Sequence, residues 1–151
     1  MSRLIIYLSV HHGNTKKIAE LMAEVLGADL AEVGKANKKM VQDADLVGFG
    51  SGIYFGKHHK SLLNFLEKLP NCSGKKSFIF STSGVGGTKQ HWALKMALKS
   101  KGFEIIGEFA CKAWDTFGLL KLTGGINKSR PNKKDLEKAR EFAEEIDRKN
   151  L

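Results

Sequence analysis

Cysteine, proline and long apolar runs are all scarce in this chain. Its 151 residues include two cysteines and two prolines. Cys72 and Cys111 stand far apart and form neither a CxxC pair nor the framework of a disulfide-rich secreted domain, so free thiols are expected. The longest apolar runs, such as residues 4–8, are much too short to span a bilayer, and no signal-peptide pattern is visible. These absences indicate a cytoplasmic protein.

Acidic residues are also outnumbered. The chain has 25 Lys and Arg against 16 Asp and Glu, a formal net charge of +9. No nucleic-acid-binding module accompanies this charge, so nucleic acid is not an expected partner. An acidic protein, or the anionic face of a membrane in peripheral contact, is the more natural partner for such a field.

The length suits one domain over residues 1–151, and the apolar residues follow two alternating patterns. Short apolar runs predict five strands, at residues 4–8, 28–33, 46–50, 77–81 and 103–111. Helical spacing predicts helices over residues 18–26, 38–43, 62–69, 93–98 and 136–146. This alternation indicates an α/β fold, in which right-handed crossovers join parallel strands and helices cover both faces of the sheet. Ligands of such sheets bind beyond the carboxyl ends of the strands.

The turn at residues 9–15 links the first strand to the first helix. Backbone N–H groups at a helix start, with hydroxyl and amide side chains from Ser9, Asn14 and Thr15, would hold a phosphate. Alternatively, Asn14 or Thr15 merely caps the helix and Gly13 relieves backbone strain. The turn alone leaves both interpretations open.

Two further loops lie at the same predicted edge. Residues 50–59 place three glycines around the adjacent rings of Tyr54 and Phe55, and residues 81–88 are small or hydroxylated except for Val85. Aromatic rings and glycine backbones suit a planar ring system. Residues 51–58 lack the spacing of a P-loop, and residues 84–89 lack the third glycine of the NAD fingerprint. The loops therefore favour a phosphorylated planar cofactor over ATP, GTP or NAD.

These motifs resemble the flavodoxin-like family, which binds FMN. The turn at residues 9–15 is similar to the family's phosphate loop with one extra residue, and the Gly-Ser-x-Ile-Tyr-x-Gly pattern of residues 50–56 is similar to flavodoxin-type protoporphyrinogen dehydrogenases. The resemblance implies a doubly wound three-layer sandwich with a five-stranded parallel sheet. Two departures are the basic charge, because soluble flavodoxins are usually acidic, and the lack of the extra segment that porphyrinogen-oxidising members carry after strand four.

The resemblance also implies a set of FMN-binding residues. Those that would surround the phosphate are Ser9, His11, His12, Gly13, Asn14 and Thr15. Those that would face the flavin ring are Gly52, Ile53, Tyr54, Phe55 and Gly56. Those that would pack against its pyrimidine edge are Thr82, Ser83, Gly84, Val85, Gly86 and Gly87. Tyr54 or Phe55 would stack on the ring, and a backbone group near Gly56 would meet its N5 atom.

Three functions are compatible with such a site. The first is FMN-binding electron transfer, with a redox protein or a small acceptor such as a quinone as partner. The second is an FMN-dependent oxidoreductase of the protoporphyrinogen-dehydrogenase or quinone-reductase kind, and the third is an interaction module that has lost FMN. No catalytic side chain or metal site is predicted, because the histidine pairs lack metal-ligand spacing. His91 and Trp92 are expected to be surface and packing residues. Residues 112–131, with Trp114, are either an extra element on the core or a lid over the site.

Overall fold

The computed structural model describes residues 2–10, 13–113 and 129–150. The strands are β1 (Arg3–Leu8), β2 (Asp29–Glu32), β3 (Leu46–Tyr54), β4 (Lys57–His58), β5 (Lys76–Ser83) and β6 (Glu104–Lys112). The helices are α1 (Asn14–Leu26), α2 (Lys38–Asp43), α3 (Lys60–Glu67), α4 (Trp92–Ser100) and α5 (Lys133–Lys149). Five strands form a parallel sheet in the order β2-β1-β3-β5-β6, and the short β4 pairs antiparallel with β3. The predicted α/β fold with five parallel strands is confirmed.

Helices cover both faces of this sheet, as predicted. On one face α3 and α4 contribute Leu62, Leu66, Leu94 and Leu98 to a buried cluster. On the other face α1 and α5 contribute a second buried cluster, which includes Ile18, Met22, Ala139, Ala143 and Ile146. Strand β1 lies between the two clusters, and its residues alternate between them. Its continuous apolar run reflects burial on both faces.

Two glycines of β3 make room for aromatic rings of the neighbouring strand. Gly48 pairs with Phe78 and Gly50 pairs with Phe80. A Cβ atom at either glycine would overlap the phenylalanine ring opposite. Both rings are buried in the cluster beneath α1 and α5. These glycines are therefore packing residues inside the sheet and do not belong to a loop.

Several element boundaries differ from the predicted ones. Strand β3 continues past residue 50 to Tyr54, so Gly52 and Ile53 lie in a strand and not in the loop that their glycine-rich surroundings predicted. Strand β5 likewise extends to Ser83. Strand β2 ends at Glu32, because the chain turns there into a short 3₁₀ helix at Val33–Lys35. Strand β3 extends because residues 51 and 52 continue its pairing with β5 and residues 53 and 54 pair with β4.

Both cysteines are free, as predicted, and both are buried. Cys72 belongs to the buried cluster beneath α3 and α4, and Cys111 lies in β6. Burial raises the pKa of both thiols, that of Cys111 to about 12. Both thiols are therefore protonated at neutral pH, and neither has the thiolate character of a reactive cysteine.

Candidate cofactor-binding site

The predicted site residues of three chain segments meet at one edge of the sheet. Leu8 of β1 pairs with Ser51 of β3, and Gly52 of β3 pairs with Thr82 of β5. These strands are parallel, so the residues that follow them leave the sheet side by side. The described residues after β1, the end of β3 and the end of β5 are therefore neighbours at the edge where sequence analysis predicted a ligand.

The turn after β1 begins helix α1 with a glycine. Gly13 is the N-cap residue and has φ +65°, a left-handed conformation that glycine adopts without strain. Asn14 and Thr15 lie inside the first turn and are both buried. The alternative that one of them merely caps the helix is therefore wrong. Ser9 lies against the same turn, where its Oγ accepts a hydrogen bond of 3.2 Å from the backbone N–H of Lys16.

A hydroxyl pair joins this turn to β5. The side-chain oxygens of Thr15 and Thr82 are 2.8 Å apart, within hydrogen-bond distance, and both residues are buried. This contact connects the predicted phosphate turn to the third predicted segment. Sequence analysis predicted that Thr82 packs against the pyrimidine edge of the flavin, and the structure shows that its side chain contacts α1. His11 and His12, the other predicted phosphate neighbours, lie outside the described residues.

Strands β3 and β4 form a hairpin with a two-residue turn at Phe55 and Gly56. Tyr54 pairs with Lys57 across the turn. Phe55 has φ +52° and Gly56 has φ +77°, the pattern of a type I′ turn, which matches the twist of a hairpin. Glycine accepts this conformation, but a bulky residue is strained in it. The strained turn holds the Phe55 side chain 87% exposed at the edge of the site.

Three hydrogen bonds hold the hairpin in place, one at its base and two to other elements. The Oγ of Ser51 accepts from the backbone N–H of His59 at 3.0 Å. The Nε2 of His58 lies 3.0 Å from the carbonyl oxygen of Phe80. The indole N–H of Trp92, the first residue of α4, donates to the carbonyl oxygen of Gly56 at 3.1 Å. The turn is thus held from β3, from β5 and from α4, which accounts for the persistence of its strain.

The loop after β5 closes the third side of the site. The Oγ of Ser83 accepts from the backbone N–H of Gly86 at 2.8 Å and so folds the loop back on the strand. Gly86 and Gly87 have φ +70° and +104°, which only glycine adopts readily. Val85, at the tip, is 72% exposed. The loop leaves backbone groups and one apolar side chain at the predicted pyrimidine edge.

A buried polar network beneath this edge was missed by sequence analysis. His91 is fully buried, and its Nε2 lies 2.7 Å from the Oγ of Ser81 while its Nδ1 lies 2.9 Å from the Oε1 of Glu108. The other Glu108 oxygen pairs with Lys95 at 3.1 Å. His91 is thus not a surface residue but a buried, hydrogen-bonded one, whereas Trp92 is 54% exposed. Serine, histidine and glutamate are also the residue types of a hydrolytic triad, but Ser81 is fully buried, so its hydroxyl is not exposed as a nucleophile would be.

Burial keeps both central histidines neutral. It lowers the pKa of His91, although Glu108 opposes that shift. It lowers the pKa of His58 to about 3, because its hydrogen bond to Phe80 does not compensate for desolvation. A carbonyl oxygen only accepts, so Nε2 of His58 carries the hydrogen and Nδ1 does not. Among the described residues, no partner reaches that Nδ1 atom.

Two further sequence expectations bear on the site. In residues 2–10, 13–113 and 129–150, no three His, Cys, Asp or Glu side chains are grouped to hold a metal ion. None of the helices in that part of the chain has the length and apolar content needed to traverse a bilayer. Trp114 and the rest of residues 114–128, predicted to be a lid or an added element, lie outside the described residues.

Comparison of the sequence with known proteins identifies the family of this chain. A family model described as a flavodoxin domain matches residues 4–113. The chain belongs to the flavodoxin domain family. This flavodoxin domain protein is 52% identical over 148 residues to an uncharacterized protein of Methanocaldococcus jannaschii, with 97% of this chain and 98% of that protein covered.

Solved flavodoxins share the fold of this flavodoxin domain protein. A short-chain flavodoxin associated with a bacterial microcompartment superposes with a TM-score of 0.75 at 16% identity, covering 100% of both chains. The Fusobacterium nucleatum flavodoxin bound to flavin mononucleotide superposes with a TM-score of 0.71 at 13% identity, covering 99% of both chains. At these identities the similarity shows the fold only, so any argument about a ligand of this chain has to rest on its own residues.

Proposed function

We propose that this chain binds FMN and transfers electrons to or from a separate redox partner. The observation that carries the proposal is the convergence at one sheet edge of a glycine-started helix, a strained aromatic hairpin and a glycine-rich loop. The solved flavodoxin that contains flavin mononucleotide shares this fold and adds support. The free, buried thiols suit a reducing compartment, and we propose that the protein acts in the cytoplasm.

The turn after β1 fits the phosphate of FMN. It presents the start of α1, whose N-cap glycine brings no side chain to cover the helix end. Helix N-termini attract anions through their N–H groups and dipole. The hydroxyls of Ser9 and Thr15 supply neutral donors beside it. A phosphate there would be held without any lysine.

The hairpin and the loop after β5 fit the planar part of FMN. Phe55 presents an apolar ring that is 87% exposed on a hydrogen-bonded turn, and the loop of residues 84–87 presents backbone groups after the neighbouring strand β5. A bound FMN supplies the electron-carrying ring, which the protein tunes by stacking, hydrogen bonds and local charge. The carbonyl and N–H groups of Phe55 and Gly56 lie at the end of the hairpin, and we propose that one of them meets the flavin N5 atom.

A titration with FMN and with riboflavin tests this proposal. The purified chain is added to each flavin, and quenching of flavin fluorescence gives the two dissociation constants. Riboflavin has the same ring but lacks the phosphate, so a functional phosphate turn predicts that FMN binds at least about a hundredfold more tightly. Equal affinities would remove the phosphate role of residues 9–15. Failure to bind either flavin would favour the interaction module without FMN.

An FMN-dependent oxidoreductase with its own substrate is the second candidate. The hairpin at residues 50–59 supports it, because that segment resembles flavodoxin-type protoporphyrinogen dehydrogenases and its tip is open to a small molecule. Single-turnover mixing of the photoreduced protein with a quinone, with a porphyrinogen-linked acceptor or with an iron–sulfur protein separates the two candidates. Faster reaction with the protein acceptor, slowed by salt, supports the carrier. Saturable turnover of a small molecule supports the enzyme.

A further inference from the structure

Exposed apolar side chains form a strip beside the predicted flavin edge. Phe55, Trp92 and Met96 are 87%, 54% and 66% exposed. The Trp92 hydrogen bond to the carbonyl oxygen of Gly56 places its indole against the hairpin turn that carries Phe55. Met96 follows Trp92 by one helical turn of α4, so both side chains lie on the same helix face. We call these three side chains the α4 strip.

The chain around the α4 strip is almost free of acidic residues. Between Asp45 and Glu104 there are nine lysines and a single acidic residue, Glu67. This stretch builds β3, β4 and β5 of the sheet together with α3 and α4, the two helices that cover one face of it. Helix α5, on the opposite layer, instead mixes acidic and basic residues throughout. The positive charge of the molecule is thus concentrated on the layer that carries the strip.

Lysines stand along the strip itself. Lys57 follows the hairpin turn, Lys89 precedes Trp92 by three residues, and Lys99 follows Met96 by three residues; all three are exposed. Glu108, which reaches this face from β6, is already paired with Lys95 and hydrogen-bonded to His91. Among the described residues, no ion pair joins an acidic side chain to Lys57, Lys89 or Lys99. The surface is an apolar centre with a positive rim.

We infer that the α4 strip, with Lys57, Lys89 and Lys99 around it, is the docking surface for an acidic redox protein. Interfaces of this kind combine an apolar core with charges that are complementary across the rim. The inference rests on the proposed FMN function, because the strip includes Phe55 at the predicted flavin edge. A partner seated on it would come close to the flavin while its acidic side chains faced the lysines.

An anionic membrane is the less suitable occupant of this surface. Membrane-binding basic segments concentrate four to eight Lys or Arg residues in one short stretch, and insertion needs a continuous apolar face. The strip has instead three apolar side chains on two rigid elements, with lysines spaced along its length. Apolar anchors inside a charged rim suit a folded protein partner.

Two double charge reversals with the same net charge test the inference. K89E/K99E changes the rim of the strip, and R140E/R148E makes the same change of charge on exposed positions of α5. Each FMN-loaded variant is photoreduced and mixed with an acidic iron–sulfur ferredoxin in a stopped-flow instrument at low and high salt. We expect K89E/K99E to slow electron exchange by about tenfold or more at low salt and to flatten its salt dependence. R140E/R148E should change the rate less than about threefold.

The apolar centre is tested separately by Met96→Ala, which removes an exposed side chain without touching the hairpin. We expect it to weaken ferredoxin binding by about threefold to tenfold and to leave the salt dependence unchanged. Equal slowing by both double variants, or no exchange with ferredoxin in the parent protein, would overturn the inference. So would binding to phosphatidylserine vesicles that K89E/K99E abolishes while ferredoxin exchange stays intact. The FMN titration reports separately on cofactor binding, so a failed docking surface and a failed cofactor site give different results.

Discussion

The rings of His58 and His91 lie with their centroids 5.0 Å apart beneath the edge of the candidate site. His58 comes from the strand that returns from the hairpin, and His91 comes from the turn that leads into α4. Each is held by a different atom of β5, His58 by the carbonyl oxygen of Phe80 and His91 by the Oγ of Ser81. The two neutral imidazoles therefore connect the hairpin to the helix that carries the α4 strip. Positive charge on either ring would be close to the other and far from water.

Acid should destabilise the protein through these histidines. The pKa of His58 is lowered to about 3 in the folded protein, against an ordinary value of 6.5. Between these pH values His58 is protonated in the unfolded chain but stays neutral in the folded chain. The contribution of His58 to the free energy of unfolding is therefore fully present above pH 6.5 and is lost as the pH falls towards 3. Each histidine adds a slope of at most about 1.4 kcal/mol per pH unit. The pKa of His91 is shifted in the same direction.

Urea unfolding at several values between pH 7.5 and 4.5 measures this slope. His58→Gln removes one titrating group and should give a shallower slope, whereas Lys57→Gln at the neighbouring position should leave it unchanged. A slope that is identical in the parent protein and in the His58 variant would show that His58 does not carry it.

Removal of the Ser81 hydroxyl should destabilise the fold. In Ser81→Ala the Nε2 atom of His91 loses its hydrogen-bond donor while it stays fully buried. An unsatisfied buried polar atom costs about 1–3 kcal/mol. The exposed Ser61 of α3 offers the matched control, and Ser61→Ala should change the free energy of unfolding by less than about 0.5 kcal/mol. If both variants unfold alike, the network contributes nothing to stability.

Phe55 should trade stability against cofactor affinity. Asparagine tolerates φ +52° better than phenylalanine, so Phe55→Asn should raise the free energy of unfolding by about 0.5–1.5 kcal/mol. The same change removes the exposed ring and should weaken FMN binding. Val85, also exposed, provides the comparison, because Val85→Asn relieves no left-handed strain and should not stabilise the fold. Thermal unfolding in the absence of flavin measures the stability, and an FMN titration measures the affinity. A Phe55→Asn protein that is both less stable and weaker in FMN binding would contradict the hypothesis that Phe55 is strained.

The Thr15–Thr82 hydroxyl pair should behave as a coupled unit. Thr15→Val and Thr82→Val each leave one buried hydroxyl without its partner and should cost about 1–3 kcal/mol, whereas the double variant should cost clearly less than the sum. FMN affinity separates the two residues. Of these two threonines, Thr15 is the one predicted to contact the phosphate through its side chain, so Thr15→Val should weaken the binding of FMN more than the binding of riboflavin. Equal effects of both single variants on FMN would contradict that assignment.

The redox midpoint potential should reflect the positive surroundings. Reduction adds negative charge to a bound flavin, and nearby cations favour it, so we expect a potential above those of acidic flavodoxins. Lys112, whose side chain lies beside Gly86, is a local test. Lys112→Gln should lower the potential by an amount on the order of tens of millivolts, and Lys138→Gln on α5 should not. Photoreduction in the presence of a reference dye gives both values. A potential as low as those of acidic flavodoxins would count against the idea.

The alternation of strands and helices was enough to predict the sheet, because each element carries its own apolar pattern. Helix α2 has the predicted bounds, Lys38–Asp43, and α1 ends at Leu26, as predicted, where Gly27 with φ +61° forms its C-cap. The predicted ends of β3 and β5 were wrong, because small residues such as glycine and serine occur both in loops and in closely packed strands. Gly50 is glycine to accommodate the Phe80 ring, and this reason is visible only when the two strands are paired.

The position of the site was also predictable, since parallel strands bring their carboxyl ends together. The buried contacts that support the site could not be predicted. His91 shares a network with Ser81 and Glu108, residues on different strands whose contact depends on the sheet order β3-β5-β6. A histidine near a helix start has no sequence signal for burial. The left-handed conformation of Phe55 was equally hidden, because type I′ turns usually carry glycine or asparagine at that position.

The pairs Gly48–Phe78 and Gly50–Phe80 determine how β3 and β5 align along their length. In the observed alignment each ring lies against a residue without a Cβ, and sliding one strand by a single position would separate both pairs and turn the side chains of that strand to the opposite face of the sheet. The next pairs along the same strands are Ser51–Ser81 and Gly52–Thr82, at the site. The alignment of the binding edge is therefore fixed by interior contacts that no ligand touches, and Gly50→Ala would disturb the site from within the core.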